Sequence, residues 1–289
     1  MASRKTRRSR TPVLPERHAV PLLKWAGGKA VFVRDIAQYV PRITNGGRYY
    51  EPFVGAASLF LAIRPRRARL SDLNEHLIEA YKSIRSAPDD VSKHLRAMAR
   101  QHNKTFYYRI RESFNRSRSP VRQAARFIYL NKAGFNGVYR VNTLGKFNVP
   151  HGKRRTIKIP NRKHLDVVSK MLRRAQLRVC GYEEAVKDAQ KGDFVYLDPP
   201  YPPLNGSSFF THYTKERFSS DEQKNVAALA KNLSRKGVRV LVTNADTPLI
   251  RRLYAGWNIH RVSRPRWVRS GKVKHQVDEL IITSYWTES

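Results

Sequence analysis

The sequence predicts an α/β fold in which a mostly parallel β-sheet is covered by helices on both faces. Short apolar or aromatic segments of strand length alternate along the chain with segments that have helical periodicity. This alternation is typical of parallel sheets, whose crossover connections are helices. The chain has 289 residues and 40% hydrophobic content, which is enough to form one large domain or two modest ones.

The first elements are predicted between residues 48 and 84. The segment "RYYEPFV" (48–54) has the character of a short aromatic strand that ends at Gly55, and "AASLFLAI" (56–63) has that of a buried helix start. A second strand, "ARLSD" (68–72), stops at Asp72. In the helix predicted over 73–84, Leu77, Tyr81 and Ile84 share one face.

The later elements follow the same alternation. "QLRVCGY" (176–182) is a strand-like apolar run around the chain's one cysteine, Cys180, which we expect to be a buried structural thiol. "FVYLDPPY" (194–201) predicts a buried strand that ends at Asp198. Ser220 and Gln223 form a plausible capping box for a helix that ends near Gly237. "VRVLVTN" (238–244) and "VDELIITSYW" (277–286) predict the last strands, and the basic segment 264–276 is expected to be a loop, either touching phosphate or solvated.

Residues 88–165 break this rhythm and predict an insertion. The segment is helical at first, with Ser119 and Pro120 placed to begin a helix. Glycines, asparagines, aromatics and an arginine then surround a possible hairpin turn at Leu144–Gly145. We therefore expect a basic disordered arm at 1–18, a main α/β domain at 19–87 and 166–289, and an inserted domain at 88–165.

The charge of the chain indicates a polyanionic partner. Lysine and arginine number 57 against 22 aspartates and glutamates, which gives a net charge of +35. Nucleic acid is the leading partner because neutralising phosphates releases counterions. No run of 18 apolar residues is present, so we expect no membrane span, and the N-terminus lacks the apolar core of a secretory signal. One cysteine excludes an intrachain disulfide and a thiolate zinc cluster, and no His/Asp/Glu cluster suggests another metal.

Three predicted strand ends carry candidate site residues. Ligands of open α/β sheets bind at the carboxyl ends of the strands, where we place Gly55, Asp72 and Asp198. Small residues at Gly55 permit close backbone approach, although they also pack helices on strands. A carboxylate such as Asp72 suits two ribose hydroxyls, with a helix cap as the alternative.

The chemistry of the third strand end is more specific. Asp198 and the carbonyl of Pro199 supply two neighbouring acceptors, which suit an amino group with two hydrogens, and Tyr201 supplies a stacking face. This set fits an aromatic amine such as a base flipped out of a duplex. A simple turn is the alternative, since aspartate and proline favour turns.

Several motifs in this order resemble the Dam-type DNA adenine-N6 methyltransferases of the D12 class, with the alpha-type order of motifs. They are "LLKWAGGK", "EPFVGAAS", "LSDLN", "FNGVYRVNTLGKFNVPHG", "LDPPYPPL" and "VDEL". The resemblance covers nearly all of the chain beyond the N-terminal arm. It implies a Rossmann-like methyltransferase sheet, S-adenosylmethionine as methyl donor, double-stranded DNA as partner and an inserted target-recognition domain. It also implies GATC or a similar target, a protein that is monomeric on DNA, and a cytoplasmic location, either at a prokaryotic nucleoid or, for a virus, in its host.

The resemblance also implies roles for individual residues. The cofactor-contacting positions are Trp25, Lys29, Gly55, Asp72 and Asp198. The catalytic motif that holds the flipped adenine is Asp198, Pro199, Pro200 and Tyr201. The DNA-contacting positions are Lys24, Phe135, Asn136, Val138, Arg140 and Pro150. Of these, Arg140 matches a guanine-reading arginine, for which a phosphate contact is the alternative, and Val138 and Pro150 can face a thymine methyl.

The chain departs from the family pattern at three positions. Ala57 stands where a second glycine is usual, Phe135 replaces a frequent tyrosine, and Val138 is shorter than the common leucine. Two alternatives stay open. One is the same chemistry on cytosine N4 or on adenine in RNA, and the other is a DNA-binding protein on this fold that has lost activity.

Overall fold

The computed structural model describes residues 19–43, 46–116, 119–201, 218–267 and 274–286. For 265–267 and 274–277 it describes the backbone alone. The predicted basic arm at 1–18 lies outside the described residues.

Seven strands and ten α-helices form the described part of the chain. The strands are β1 (Tyr49–Glu51), β2 (Ala68–Asp72), β3 (Ala175–Val179), β4 (Phe194–Leu197), β5 (Arg239–Ala245), β6 (Asn258–Trp267) and β7 (Lys274–Thr283). The helices are α1 (Val33–Ala37), α2 (Ser58–Ile63), α3 (Glu75–Ser86), α4 (Pro88–Arg100), α5 (Lys104–Arg116), α6 (Pro120–Ala133), α7 (Arg162–Leu172), α8 (Tyr182–Val186), α9 (Ser220–Arg235) and α10 (Pro248–Leu253). Short 3-10 helices cover Lys29–Val31 and Phe135–Gly137.

All seven strands lie in one sheet in the order β3-β2-β1-β4-β5-β7-β6. The pairs from β3 to β5 are parallel, and β7 is antiparallel to both β5 and β6. The strand order reverses between β1 and β4, since the chain runs outward from β1 to β3 before it returns. A ligand crevice is expected outside the carboxyl ends of the strands at such a reversal.

Two hydrophobic cores lie on opposite faces of this sheet. On β4, Phe194 and Tyr196 belong to one core, and Val195 and Leu197 to the other, because successive side chains of a strand point to opposite faces. Helices α1, α2, α3 and α7 contribute to the first core and α8, α9 and α10 to the second. The α/β prediction with helices on both faces is therefore confirmed.

Three local predictions need correction. The first strand ends at Glu51 rather than continuing to residue 54. The next residue, Pro52, ends the strand because it has no N–H to donate to a neighbouring strand. Part of the segment 264–276, which was expected to be a loop, belongs to two paired strands. Strand β6 extends to Trp267 and strand β7 begins at Lys274, while residues 268–273 lie outside the described ranges. Helix α9 is capped one residue earlier than predicted, because the Ser219 hydroxyl accepts the Glu222 N–H.

The inserted region consists of α4, α5 and α6 followed by irregular chain. Pro120 begins α6 as predicted, and an antiparallel bridge between Val141 and Phe147 closes the predicted turn. Gly145 has a φ of +73° there, which glycine adopts without strain. Helix α7 spans the expected boundary at 165/166, and residues of the insertion share the first core with the sheet. The division into domains stays a prediction.

Two possible features are absent from the described ranges. No helix there has both the length and the apolar character to cross a membrane. No cluster of three or more His, Cys, Asp or Glu side chains there is arranged to hold a metal ion.

Candidate functional site

The Asp198 carboxylate lies directly after β4 and receives two hydrogen bonds on the same oxygen. Lys29 Nζ is 2.8 Å from Asp198 Oδ1, and Thr243 Oγ1 donates to Oδ1 at 2.7 Å. Burial raises the pKa of Asp198 above its usual value, and the Lys29 ammonium and Thr243 hydroxyl oppose that rise. The second oxygen, Oδ2, is bonded to neither donor.

The Lys29 ammonium lies between the predicted catalytic groups. The side chain is 3% exposed, and Nζ also donates to the Gly27 carbonyl at 2.6 Å. Nζ lies 4.6 Å from the centroid of the Tyr201 ring and 3.8 Å from Glu279 Oε1 on β7. An ammonium so deeply buried needs such partners, so Lys29 joins the carboxyl end of β4 to β7.

Glu51 on β1 is a second buried carboxyl group near Asp198. The Tyr49 hydroxyl donates to Glu51 Oε2 at 2.8 Å. Burial raises the pKa of Glu51 to about 8, with a smaller contribution from the nearby Asp198 charge. Burial therefore favours the protonated form of Glu51, whereas the Lys29 ammonium and the Thr243 hydroxyl favour the ionised form of Asp198.

The backbone after Asp198 is held by a buried amide pair. Gln223 Nε2 donates to the Pro200 carbonyl at 2.7 Å, and Asn244 Nδ2 donates to Gln223 Oε1 at 2.9 Å. Gln223, predicted to cap α9, instead points from the first turn of that helix towards the site. The bond goes to the carbonyl of Pro200 and not to that of Pro199, the predicted acceptor for the amine.

Gly55 and Asp72 meet at the carboxyl ends of β1 and β2. Asp72 accepts hydrogen bonds from the backbone N–H of Gly55 at 3.1 Å and of Asn74 at 2.9 Å. Burial raises the pKa of Asp72 to about 6, against the lowering effect of these bonds. Asn74, not Asp72, caps helix α3, so the helix-cap alternative for Asp72 is wrong.

Trp25 packs against Gly55. Gly55 has a φ of +43°, and a Cβ on it would lie 2.7 Å from Trp25 Cδ1. The indole also stacks on Tyr139 of the insertion. Three of the predicted cofactor-contacting residues, Trp25, Gly55 and Asp72, are thus adjacent.

Ala57, the departure from the usual glycine, has a left-handed backbone with φ 56° and ψ 33°. A non-glycine residue in this conformation is strained by about 1–2 kcal/mol. The turn between β1 and α2 therefore holds Ala57 in a conformation that a glycine adopts without strain.

One buried amide joins the N-terminal segment to the inserted region. Asn131 Oδ1 accepts from the Lys24 N–H at 2.8 Å, and Asn131 Nδ2 donates to the carbonyls of Lys24 at 2.7 Å and of Gly137 at 2.8 Å. The Lys24 side chain crosses Gly137, where a Cβ would lie 2.7 Å from Lys24 Cδ. Lys24 therefore lies beside the turn that contains Phe135 and Asn136.

The other predicted DNA-contacting residues belong to the same surface. The Phe135 N–H donates to the Pro150 carbonyl at 2.9 Å, and the Phe135 side chain is 51% exposed. Arg140 is exposed, and its Nε donates to Asn148 Oδ1 at 2.8 Å. Val138 is half-buried. The structure thus gathers all six residues around Phe135–Gly137 and the neighbouring turn.

A groove of about 600 Å³ continues from Arg140's partner Asn148 along helix α5. Its lining includes Arg109, Arg111 and Lys146. This basic groove extends the exposed surface of the inserted region.

Several residues of the site were given no site role by sequence reasoning, Glu51 and Gln223 among them. Thr243 and Asn244 had been assigned only to a strand, Glu279 only to the motif "VDEL", and Asn131 to no role. The ending of "VRVLVTN" in two polar residues after a buried strand was a usable signal for the first pair, since strand ends carry site residues in this fold. No sequence signal distinguished Asn131 from a surface amide of a helix.

Comparison with known proteins identifies the family. A model of the D12 class N6 adenine-specific DNA methyltransferases matches residues 25–267. The chain is 36% identical over 273 residues to the type II methyltransferase M1.LlaDCHI of Lactococcus lactis, covering 92% of this chain and 95% of that protein. It is 36% identical over 286 residues to the type II methyltransferase M.MjaIII of Methanocaldococcus jannaschii (92% and 99% covered). It is 35% identical over 262 residues to the DNA adenine methylase of Escherichia coli K12 (90% and 93% covered).

The match to the family model takes in β1 to β5, the inserted region and the "DPPY" motif. The likeness extends over nearly the full length of each relative. The chain therefore belongs to the D12 class of N6 adenine-specific DNA methyltransferases, and it is an adenine-specific DNA methyltransferase by family.

Proposed function

We propose that this protein transfers a methyl group from S-adenosylmethionine to N6 of an adenine flipped out of duplex DNA, within GATC, and that it does so as a monomer. The observation that carries the proposal is the arrangement of Asp198, which is held on Oδ1 by Lys29 and Thr243 next to the Tyr201 ring. The relatives named DNA adenine methylase support the same base.

The residues at the strand ends fit S-adenosylmethionine. Asp72 presents acceptor oxygens for a ribose diol, since its two backbone hydrogen bonds do not use every lone pair of a carboxylate. The absence of a side chain at Gly55 lets the Trp25 indole pack against the backbone there, next to Asp72. When bound, the cofactor supplies an electrophilic methyl group on a positively charged sulfur.

Asp198 and the Pro199 carbonyl act on the amine. The N6 lone pair of adenine is delocalised into the ring and is a poor nucleophile. Acceptance of the two N6 hydrogens by Asp198 Oδ2 and the Pro199 carbonyl localises that lone pair, and the carboxylate stabilises the positive charge that develops on N6. Tyr201 stacks on the base, and Gln223 holds the backbone of the motif through Pro200.

The exposed surface of the inserted region supports DNA recognition. Arg140 is exposed and its side chain contacts Asn148, through Nε to Oδ1 at 2.8 Å and a long 3.4 Å contact of Nη2 with the carbonyl. A pair of arginine N–H donors suits guanine O6 and N7. Exposure of the Phe135 side chain supports a role as a wedge in the duplex where the base leaves. The net charge of +35 supports a duplex with its dense phosphates.

Methyl transfer from labelled S-adenosylmethionine to two matched duplexes tests the proposal. One duplex contains GATC and the other has the same bases scrambled. Transfer confined to the first, with N6-methyladenine as the product by mass, is the expected result. Equal transfer to both would remove the assignment of GATC, and N4-methylcytosine would remove that of adenine.

The variant Asp198→Ala tests the mechanism. Transfer is expected to be abolished in this variant and in Asp198→Asn, which keeps an acceptor oxygen for the buried Lys29 and should retain the fold and most DNA binding. Near-normal activity of either variant would contradict the role of Asp198. No transfer and no cofactor binding by the unaltered protein would favour the inactive DNA-binding alternative.

A further inference from the structure

Thr243 lies at the carboxyl end of β5, beside the motif that follows β4. The register pairs Leu197 with Val242, so the next residues of these parallel strands, Asp198 and Thr243, are neighbours. The Thr243 side chain is completely buried. Because water cannot reach the Thr243 hydroxyl, its hydrogen-bond partners must be groups of the protein.

The hydroxyl of Thr243 forms two hydrogen bonds whose directions can be assigned. Thr243 Oγ1 donates its hydrogen to Asp198 Oδ1 at 2.7 Å, because an ionised carboxylate only accepts. The Tyr196 hydroxyl is 2.9 Å from Thr243 Oγ1. Since the single Thr243 hydrogen is already donated, Tyr196 is the donor in this second bond. The order of donation is therefore Tyr196 to Thr243 to Asp198.

This chain of donors acts on one oxygen of the carboxylate. Lys29 Nζ approaches the same Oδ1 at 2.8 Å. Two donors on Oδ1 from different directions fix the rotation of the carboxylate about its bond to Cβ. Because the carboxylate is planar and rigid, fixing Oδ1 also fixes the position of Oδ2.

We propose that Thr243, oriented by Tyr196, is a positioning residue that turns the Asp198 carboxylate so that Oδ2 faces the target amine. The proposal rests on the proposed function, in which Asp198 accepts a hydrogen of adenine N6. It separates the two oxygens: Oδ1 is held by the protein and Oδ2 is presented to the substrate.

The same geometry links Thr243 to the pH dependence of the reaction. The titratable groups that surround Asp198 come from several elements: Lys29 from the 3-10 helix, Glu51 from β1, Tyr196 from β4, Tyr201 from the motif and Glu279 from β7. Tyr196 is fully buried and its pKa lies well above 10, so it keeps its hydrogen throughout the working range. Removal of the Thr243 donor deprives the ionised form of Asp198 of one bond, which raises the pKa of that carboxyl. The acid limb of the rate profile should therefore move to higher pH.

The test compares Thr243→Val, which is nearly isosteric and lacks the hydroxyl, with Thr243→Ser, which keeps it. Single-turnover methyl transfer is measured on the GATC duplex between pH 5 and 9, alongside dissociation constants for S-adenosylmethionine and DNA. We expect Thr243→Val to lose about 10- to 100-fold in rate, as befits one hydrogen bond to a charged group. Both dissociation constants should change less than about threefold. Thr243→Ser should retain most of the rate and the original acid limb.

A second variant, Tyr196→Phe, tests the order of donation from Tyr196 to Thr243 to Asp198 even if Thr243→Val folds poorly. It should slow transfer in the same direction by a smaller factor, and in the double variant the two losses should be less than multiplicative. An unchanged rate and profile in Thr243→Val would overturn the proposal, as would an equal loss in Thr243→Ser, which would indicate packing alone. Multiplicative losses of rate in the double variant would overturn the role of Tyr196 in orienting Thr243. If the unaltered protein transfers no methyl group to either duplex, the proposed function and this inference fail together; if it does and Thr243→Val is unaffected, this inference alone fails.

Discussion

Replacement of Gln223 by leucine should weaken both the fold and the catalytic motif. The side chain is 1% exposed, and it connects the Pro200 carbonyl with Asn244 through one donated and one accepted hydrogen bond. Leucine has a similar length and is apolar, so Gln223→Leu removes both bonds without leaving a large cavity.

The expected loss of stability follows from the groups left behind. The Asn244 side chain is fully buried, and an unsatisfied buried donor costs about 1–3 kcal/mol. Pro200 is exposed, so water can replace its lost donor and that bond contributes at the lower end of the range, about 0.5–1 kcal/mol. The free energy of unfolding should therefore fall by about 2–3 kcal/mol in all.

Urea unfolding and methyl transfer measure the two effects. The matched control is Asn225→Leu, which exchanges an exposed amide on the same helix for the same side chain. Gln223→Met is the second variant, because it keeps the length of glutamine and loses both hydrogen bonds. It should lose stability and rate as Gln223→Leu does, so that a change of side-chain shape is excluded as the cause. A loss of stability in Gln223→Leu no greater than in Asn225→Leu would refute the reasoning.

Three further predictions concern the other parts of the site. Asn131→Ala should lower the free energy of unfolding by about 2–4 kcal/mol, because three buried hydrogen bonds are lost; a urea midpoint unchanged from that of Asn225→Ala would contradict this. S-adenosylmethionine should bind more weakly as the pH falls through about 6, since the raised pKa of Asp72 means that its charge is lost there; calorimetry should show this dependence reduced in Asp72→Asn, and an equal dependence in both proteins would count against Asp72. Arg140→Ala should reduce the preference in kcat/KM for GATC over a duplex altered at the guanine by about 10- to 100-fold; an equal loss on both duplexes would instead assign Arg140 to a phosphate.

The sheet was predictable because its strands have a strong local signal. β2 and β5 are short apolar segments that end in polar residues, and the structure places them within one residue of the prediction. β6 was not predicted, since its sequence contains polar residues and Pro265 and lacks a local apolar signal, and the structure shows it only through its ten-residue pairing with β7, the next strand along the chain. The capping of α9 was displaced by one residue because Ser219 and Ser220 are equally good caps by sequence.

Some residues of the candidate site were likewise predictable from the sequence, and others were not. Asp198, Asp72 and Gly55 were predictable because strand ends hold the ligands in this fold and the residue types are distinctive. Gln223 and Asn131 were not predictable, and for Thr243 the polar strand end marked only a position, because the functions of all three depend on contacts across 23, 107 and 45 residues of chain, respectively. A threonine, a glutamine and an asparagine are ordinary residues at most positions, and only their neighbours in space distinguish them.

The sequence by itself determined the fold class, the family resemblance, the expectation of a nucleic-acid partner and the carboxylate at the centre of the site. These follow from composition, periodicity and motifs, which act over a few residues and require no knowledge of distant contacts. The tertiary structure decided which oxygen of Asp198 is held, which carbonyl of the motif is bonded, and which residues join Lys24 to the inserted region. The physical reason is that a buried polar group must find its partners within about 3 Å, and the folding of distant segments alone brings those partners together.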